Sequence, residues 1–145
     1  LRIREFDECL KRNKIVKFPK APRFVKKELL SAAEDLEEAK LGISNGKFKW
    51  PTIQAYYSMY HAARALLFSQ EYRDKSHYCL YAALKALFVQ KGLIEPELVE
   101  AFYHAMILRE NADYRSRFSK SGAMAVLKRA GEFLDCVREL ILGDF

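Results

Sequence analysis

Glycine and proline are scarce in this sequence, at six and four of 145 residues. Alternation of apolar and polar residues is equally scarce, so a sandwich or barrel of short strands is excluded and the pattern points to helices. Cysteine is sparse too. Cys9, Cys79 and Cys136 are odd in number, widely spaced and free of any CxxC pair. That spacing predicts three reduced thiols rather than a zinc site or a disulfide framework. No apolar run reaches the ~20 residues a membrane helix needs. The longest candidate, Ala55 to Phe68, contains His61 and Arg64. No secretory pattern opens the residues given, so a cytoplasmic location without membrane attachment is expected. A glycine-rich phosphate loop, HExxH, GxSxG and the clustered carboxylates of a di-iron bundle are all missing. Several common enzyme classes go with them. Neither a metal nor a cofactor is expected.

What is present is a large apolar fraction. Half of the residues are hydrophobic, enough for one domain with a real core. Charge is uneven. Residues 1–27 hold ten Lys and Arg against Glu5, Asp7 and Glu8, a net +7, whereas the remainder is close to neutral. A basic leader can bind polyanions such as RNA by releasing counterions. A plain solvated arm fits the same composition.

The spacing predicts a short amphipathic helix over 2–14, with Ile3, Phe6 and Leu10 on one face. A connector follows from Ile15 to Pro22, where Pro19 and Pro22 forbid a continuous helix. Residues 1–22 are thus read as leader and connector, and 23–145 as a helical bundle. Its first helix runs from Arg23 to Ser44. Leu29, Ala33, Leu36 and Leu41 form its apolar stripe, and Glu34, Asp35, Glu37 and Glu38 its solvated face. Asn45-Gly46 ends it. Pro51 suits the first turn of the next helix. Ser69 to Lys75 reads as a polar loop. Ser76 caps a helix over His77 to Lys91 with Leu80, Leu84, Leu87 and Phe88 inward. Gly92 closes that helix and Glu95-Pro96 opens another, to about Asp113. Arg115 to Lys120 is a basic break. The last helix, capped by Ser119 or Ser121, reaches about Leu142, with Ala123, Val126, Leu127, Ala130, Phe133, Leu134, Val137 and Ile141 at helical spacing. The expected architecture is all-α: an up-and-down antiparallel bundle of about five helices plus a short N-terminal helix.

Two stretches carry polar groups that such a bundle does not need. The helix Gln54 to Phe68 (QAYYSMYHAARALLF) is apolar almost all round, as befits the middle of a bundle. Yet it holds Tyr56, Tyr57, Tyr60, His61 and Arg64. Tyr57 and His61 are i, i+4, and Arg64 follows on the same side. Hydroxyl, imidazole and guanidinium in one stripe suit a phosphate or nucleotide. Ring packing, with His61 and Arg64 paired internally, is the plainer account of His61 and the tyrosines. The second stretch is Leu108 to Tyr114 (LRENADY). Arg109 and Asp113 have ion-pair spacing. Asn111, Asp113 and Tyr114 leave the helix beside Arg115 and Arg117, forming a cationic patch suited to a phosphodiester.

The order AYYSMYHAARALLF, Lys75-Ser76-His77, LRENADY and a final amphipathic helix resembles the HEPN family (higher eukaryotes and prokaryotes nucleotide-binding domain). The likeness is to its small stand-alone prokaryotic branch, often encoded beside a minimal nucleotidyltransferase, and covers roughly Phe24 to Leu142. The resemblance implies a helical bundle, usually dimeric, with the site at or near the dimer cleft. Many members are metal-independent ribonucleases or toxins of toxin–antitoxin pairs. Their motif is an Arg, then a polar residue, and a His after four to six intervening residues. The Arg holds the phosphate and its developing charge, and the His moves protons as the 2′-hydroxyl attacks. Arg109 matches the arginine. Glu110 is acidic where an amide or smaller polar group is usual, Tyr114 stands in the place of the His, and no His follows it. A phenol ordinarily titrates near 10 and is a poor base at neutral pH, so His61 or His77 would have to stand in.

The resemblance therefore supports fold and phosphate binding better than cleavage. In related pairs the nucleotidyltransferase modifies a tyrosine near the motif, for which Tyr114 is the candidate. The favoured reading is a homodimeric module binding a nucleotide or RNA through Arg109, Asn111, Tyr114, Arg64 and Tyr57, as partner of a minimal nucleotidyltransferase. The alternatives are a metal-independent endoribonuclease using Arg109, Asp113 and Tyr114 with His61 or His77, and a purely structural dimerisation protein.

Overall fold

In the computed structural model, which describes residues 2–143, the chain is an all-α bundle. Its helices are α1 (Arg2–Lys11), α2 (Val25–Ser44), α3 (Lys49–Ser69), α4 (His77–Leu84), α5 (Pro96–Arg115) and α6 (Lys120–Leu142). A 3-10 turn (Ala21–Phe24) precedes α2, and a π-helical turn (Lys85–Val89) extends α4. The middle is α3, against which α2, α4, α5 and α6 all pack. Its alanines Ala55, Ala62, Ala63 and Ala65 are fully buried along with Met59, Leu66 and Leu67. Small side chains let neighbouring helices approach α3 from every side.

Helix ends follow the expected local chemistry. Gly46 takes the left-handed conformation (φ 78°) just after α2, as does Gly92 (φ 71°) after the π turn. Ser76 accepts from the Cys79 backbone amide at 3.2 Å, and Ser119 from that of Gly122 at 2.9 Å. The burial of α2 differs from the expected stripe. Its buried positions are Glu28, Ala32, Leu36 and Ala39, while Leu41 is exposed. The contact with α3 is too close for a leucine row. The Ser58 hydroxyl donates to the Ala32 carbonyl at 2.8 Å, and a Cβ on Gly42 would lie 2.6 Å from Pro51 Cγ.

The leader is not a loose arm. Residues read as connector and polar loop pair as a two-stranded antiparallel ribbon, β1 (Ile15–Lys17) with β2 (Tyr72–Asp74), Ile15 opposite Asp74. Strands of three residues carry too little alternation to be seen locally, and such a ribbon needs a bundle beneath it. Helix α1 packs on α4. Phe6 meets Tyr72 edge-on at 5.8 Å, Glu5 accepts from Tyr78, and Lys85 Nζ lies 3.3 Å from the Glu5 carboxylate. The expectation of three free thiols is overturned: Cys9 of α1 and Cys79 of α4 form a disulfide across 70 residues, and only Cys136 is free. Neither residue type nor spacing announces a bridge between two cysteines that only the fold brings together.

Closing so long a loop restricts the unfolded chain, by up to about 4 kcal/mol in the chain-entropy model. Cys9→Ser, or the wild type under reductant, is expected to unfold at a lower urea midpoint. Thiol titration of the native protein should find one reactive cysteine in denaturant without reductant. Three thiols and an unchanged midpoint would show that the bridge is not made.

Candidate functional site

Arg109 sits where α5 crosses the first half of α3, and its side chain is buried at 8% exposure. Helical spacing puts it on the face that also buries Phe102, Ala105, Met106 and Ala112. Nη2 donates to the Tyr57 hydroxyl at 2.7 Å and Nη1 to the Tyr114 hydroxyl at 3.2 Å. The guanidinium carbon lies 5.2 to 5.5 Å from the ring centres of Tyr56, Tyr57 and Tyr114. The ion pair that spacing suggested with Asp113 is not formed, and among the described residues no carboxylate lies within 4.0 Å of Arg109. Nε is buried without a hydrogen-bond partner. Burial opposes the charge, yet the Tyr57 hydrogen bond and the surrounding phenols hold the guanidinium above its ordinary pKa. The result is a permanent buried cation solvated by neutral phenols.

His77 shares this aromatic cluster. Its ring stacks on Tyr60 at 4.5 Å and on Tyr56 at 5.8 Å, and lies edge-on to Tyr57 at 6.4 Å. Nδ1 is 2.5 Å from the Tyr56 hydroxyl. Tyr56 is fully buried, and burial pushes its phenol far above the usual tyrosine range. It therefore keeps its proton, and because Nδ1 is its one polar partner among the described residues, donation to Nδ1 is the arrangement that leaves no buried hydroxyl proton unpaired. A neutral imidazole that accepts at Nδ1 carries its proton at Nε2. Burial, reinforced by the Arg109 charge, lowers the His77 pKa, so the neutral form prevails at pH 7.

His61 and Arg64 make their polar contacts elsewhere. His61 Nδ1 is 3.0 Å from Glu28 and Nε2 is 3.6 Å from Asp35, both on α2. Arg64 Nε donates to Asp74 at 3.0 Å and Nη1 to Glu28 at 3.4 Å. Tyr60 donates to the other Asp74 oxygen at 3.2 Å, and burial beside that carboxylate raises its pKa to about 12. The structure thus brings Tyr57, His77, Arg109 and Tyr114 together and turns His61 and Arg64 toward carboxylates. Tyr56, noted in the sequence among the rings of this helix but not among the candidate site residues, joins Arg109 to His77 through its ring and hydroxyl. The signal was its place one residue before Tyr57 on a helix buried all round. Asn111 Oδ1 accepts from Arg115 at 3.2 Å, and its carbonyl accepts the Arg117 amide at 2.9 Å, which ends α5. Tyr114 is 71% exposed beside a hollow of about 160 Å³ edged by Ile107, Glu110, Asn111 and Arg115. Asp113 is half-buried, and among the described residues its side chain makes no hydrogen bond or ion pair. Among the described residues no group of three or more His, Cys, Asp or Glu is arranged to hold a metal, and no helix is long and apolar enough to cross a membrane.

The HEPN domain model matches residues 25–140. The chain belongs to the HEPN family. Within it, a Methanocaldococcus jannaschii protein named as a "putative toxin" is 27% identical over 76% of this chain and 83% of its own length. A UPF0332 protein of Thermotoga maritima is 27% identical over 76% of this chain and 85% of its own. A second UPF0332 protein, from Pyrococcus horikoshii, is 33% identical over 58% of this chain and 59% of its own. The matched span begins at α2, and α1 with β1 lies before it.

His77 gives this HEPN bundle a measurable pH dependence. Its native pKa lies below the unfolded value, so the unfolded chain binds the extra proton first as pH falls. Stability should be fully present above about pH 6.5 and decline below it. His77→Asn keeps a hydrogen-bond acceptor for Tyr56 without a titrating ring. It is expected to flatten the loss of Tm between pH 7 and pH 5, and an unchanged slope would rule out His77 as its source.

Proposed function

We propose that this HEPN protein is a toxin-like module that binds the phosphate of a nucleotide or RNA through Arg109. One observation carries the reading: a buried guanidinium with neutral phenols for partners and no carboxylate. Burying a charge without a counterion is costly. A phosphate oxygen reaching the guanidinium would supply both the missing hydrogen bonds and the missing charge. His77, with its proton on Nε2, and Tyr114 add donors rather than a base. The arrangement supports binding over cleavage, in keeping with a tyrosine where the family motif has its histidine.

The relative named as a "putative toxin" supports a toxin-like role, and the proposed setting is a toxin–antitoxin-like pair with a minimal nucleotidyltransferase as partner. The exposed Tyr114 hydroxyl is then the group that such a partner would modify. Ile107 edges the same hollow, and it and Phe118, which follows Tyr114 closely in the chain, are partly exposed, which favours a second copy of the chain covering that end of α5. The structure of the site gives the ribonuclease alternative one support, His77 beside Arg109. It would need the His77 proton to move from Nε2 to Nδ1.

Arg109→Met removes the charge while keeping apolar bulk. Fluorescence anisotropy with a labelled single-stranded hexauridylate is expected to show at least a tenfold loss of affinity. Thermal stability should hold or rise, because an uncompensated buried charge disappears. Equal affinity in the variant would end the proposal. Incubation of the same RNA in EDTA separates the alternatives: Arg109-dependent products ending in a 2′,3′-cyclic phosphate would establish the ribonuclease.

A further inference from the structure

A second cationic, aromatic groove lies near the other end of α3. It is about 290 Å³ in volume and is lined by Phe18, Phe24, Phe68, Lys27, Arg64 and Arg73, with Glu28 at its base. Phe18 and Phe24 stack at 5.9 Å with 19° between their planes, and Phe24 is 40% exposed. Arg73 lies over the Phe18 ring at 5.7 Å and Arg64 over Phe68 at 4.9 Å. The cations differ in one respect. Arg64 is neutralised by Asp74 and Glu28. Arg73 and Lys27 have no ion pair among the described residues. The groove therefore offers an open aromatic face beside two unneutralised positive charges. The leader residues Lys17, Lys20 and Arg23 adjoin it in sequence.

Position decides what such a groove would take. Tyr57, Arg64 and Phe68 lie within about 20° of one line along α3, and eleven residues of helix advance roughly 16 Å. The Arg109 cluster and the groove thus occupy one side of one helix, too far apart for a single mononucleotide. We propose that the groove is a second nucleotide subsite, holding a base further along the same single-stranded RNA, beyond the reach of a dinucleotide, against Phe24 with its phosphate on Arg73 and Lys27. Bases stack on aromatic side chains whatever their sequence, and basic grooves follow the backbone. The ligand class rests on the reading of Arg109 as a phosphate anchor. The placement of the groove does not. The fold explains the leader here, because β1 and the 3-10 turn carry Phe18 and Phe24 to α3.

The test compares labelled uridine dinucleotide and hexanucleotide on the full chain. Phe24→Leu and Arg73→Gln are expected to weaken the hexanucleotide by about fivefold or more and to leave the dinucleotide unchanged. Arg109→Met should weaken both. Circular dichroism and Tm show whether the surface variants remain folded, and Lys27→Gln is a further groove variant. The groove is ruled out if the folded groove variants bind the hexanucleotide as tightly as wild type, or if wild type does not bind it. Loss in the groove variants with Arg109→Met unaffected would keep the groove and remove the Arg109 reading.

Discussion

A helix buried on every side must find a partner for each polar atom it carries, and α3 meets this demand with a different neighbour at each turn. Ser58 reaches the α2 backbone, Tyr56 reaches His77 at the start of α4, and Tyr60 and Arg64 share Asp74 on β2. His61 takes Glu28 and Asp35 from α2. These bonds do more than avoid desolvation costs. Apolar packing alone tolerates a helix sliding or turning by a residue, whereas a buried carboxylate such as Asp74 accepts only the groups that point at it. Asp74 lies on a three-residue strand, so the same interaction that satisfies Arg64 seats the ribbon and the leader.

Against that background the two arginines on this side of α3 invert one another. Arg64 has carboxylates on two elements and is a structural cation. Arg109 is more deeply buried, has phenols only and leaves Nε unpartnered. Both sit over aromatic rings, so cation–π contacts do not distinguish them. The counterion does. That contrast, one arginine neutralised and the other left with phenols, is the observation on which the proposed anion site rests, and residues left in the second state ordinarily cost stability.

The regular helices were legible because their signals are local. Capping serines, the left-handed glycine after α2 and the stripe of α6 each need only a few neighbouring residues. The likeness to HEPN was legible for another reason: LRENADY and the tyrosine-rich helix form an ordered combination. What escaped is non-local. The Cys9–Cys79 bridge joins points that only the packing of α1 on α4 brings together. The ribbon joins segments separated by α2 and α3. The α2 stripe was misread because leucines were given precedence, whereas at a close helix contact alanine fits and leucine does not. Arg109 and Asp113 had the spacing of an ion pair, but spacing cannot show that Tyr57, fifty-two residues away, offers the nearer partner.

The chemistry at Arg109 turns on where one proton lies. Tyr56 is buried, holds its proton tightly and has His77 as its partner, so the imidazole is committed to accept at Nδ1. That commitment makes Nε2 a donor. Arg109 is also a donor, and the tyrosine that stands in the place of the motif's histidine uses its oxygen to accept from Arg109. Donors so placed favour an anion whether or not a bond is being broken beside them, and His77 with its proton on Nε2 is not poised to take a 2′-hydroxyl proton. Cleavage would require the His77 proton to change sides, which would cost the Tyr56 hydroxyl its acceptor in a fully buried position. The interaction that orients His77 therefore also opposes its use as a base, which is why the proposal made for Arg109 is binding rather than cleavage.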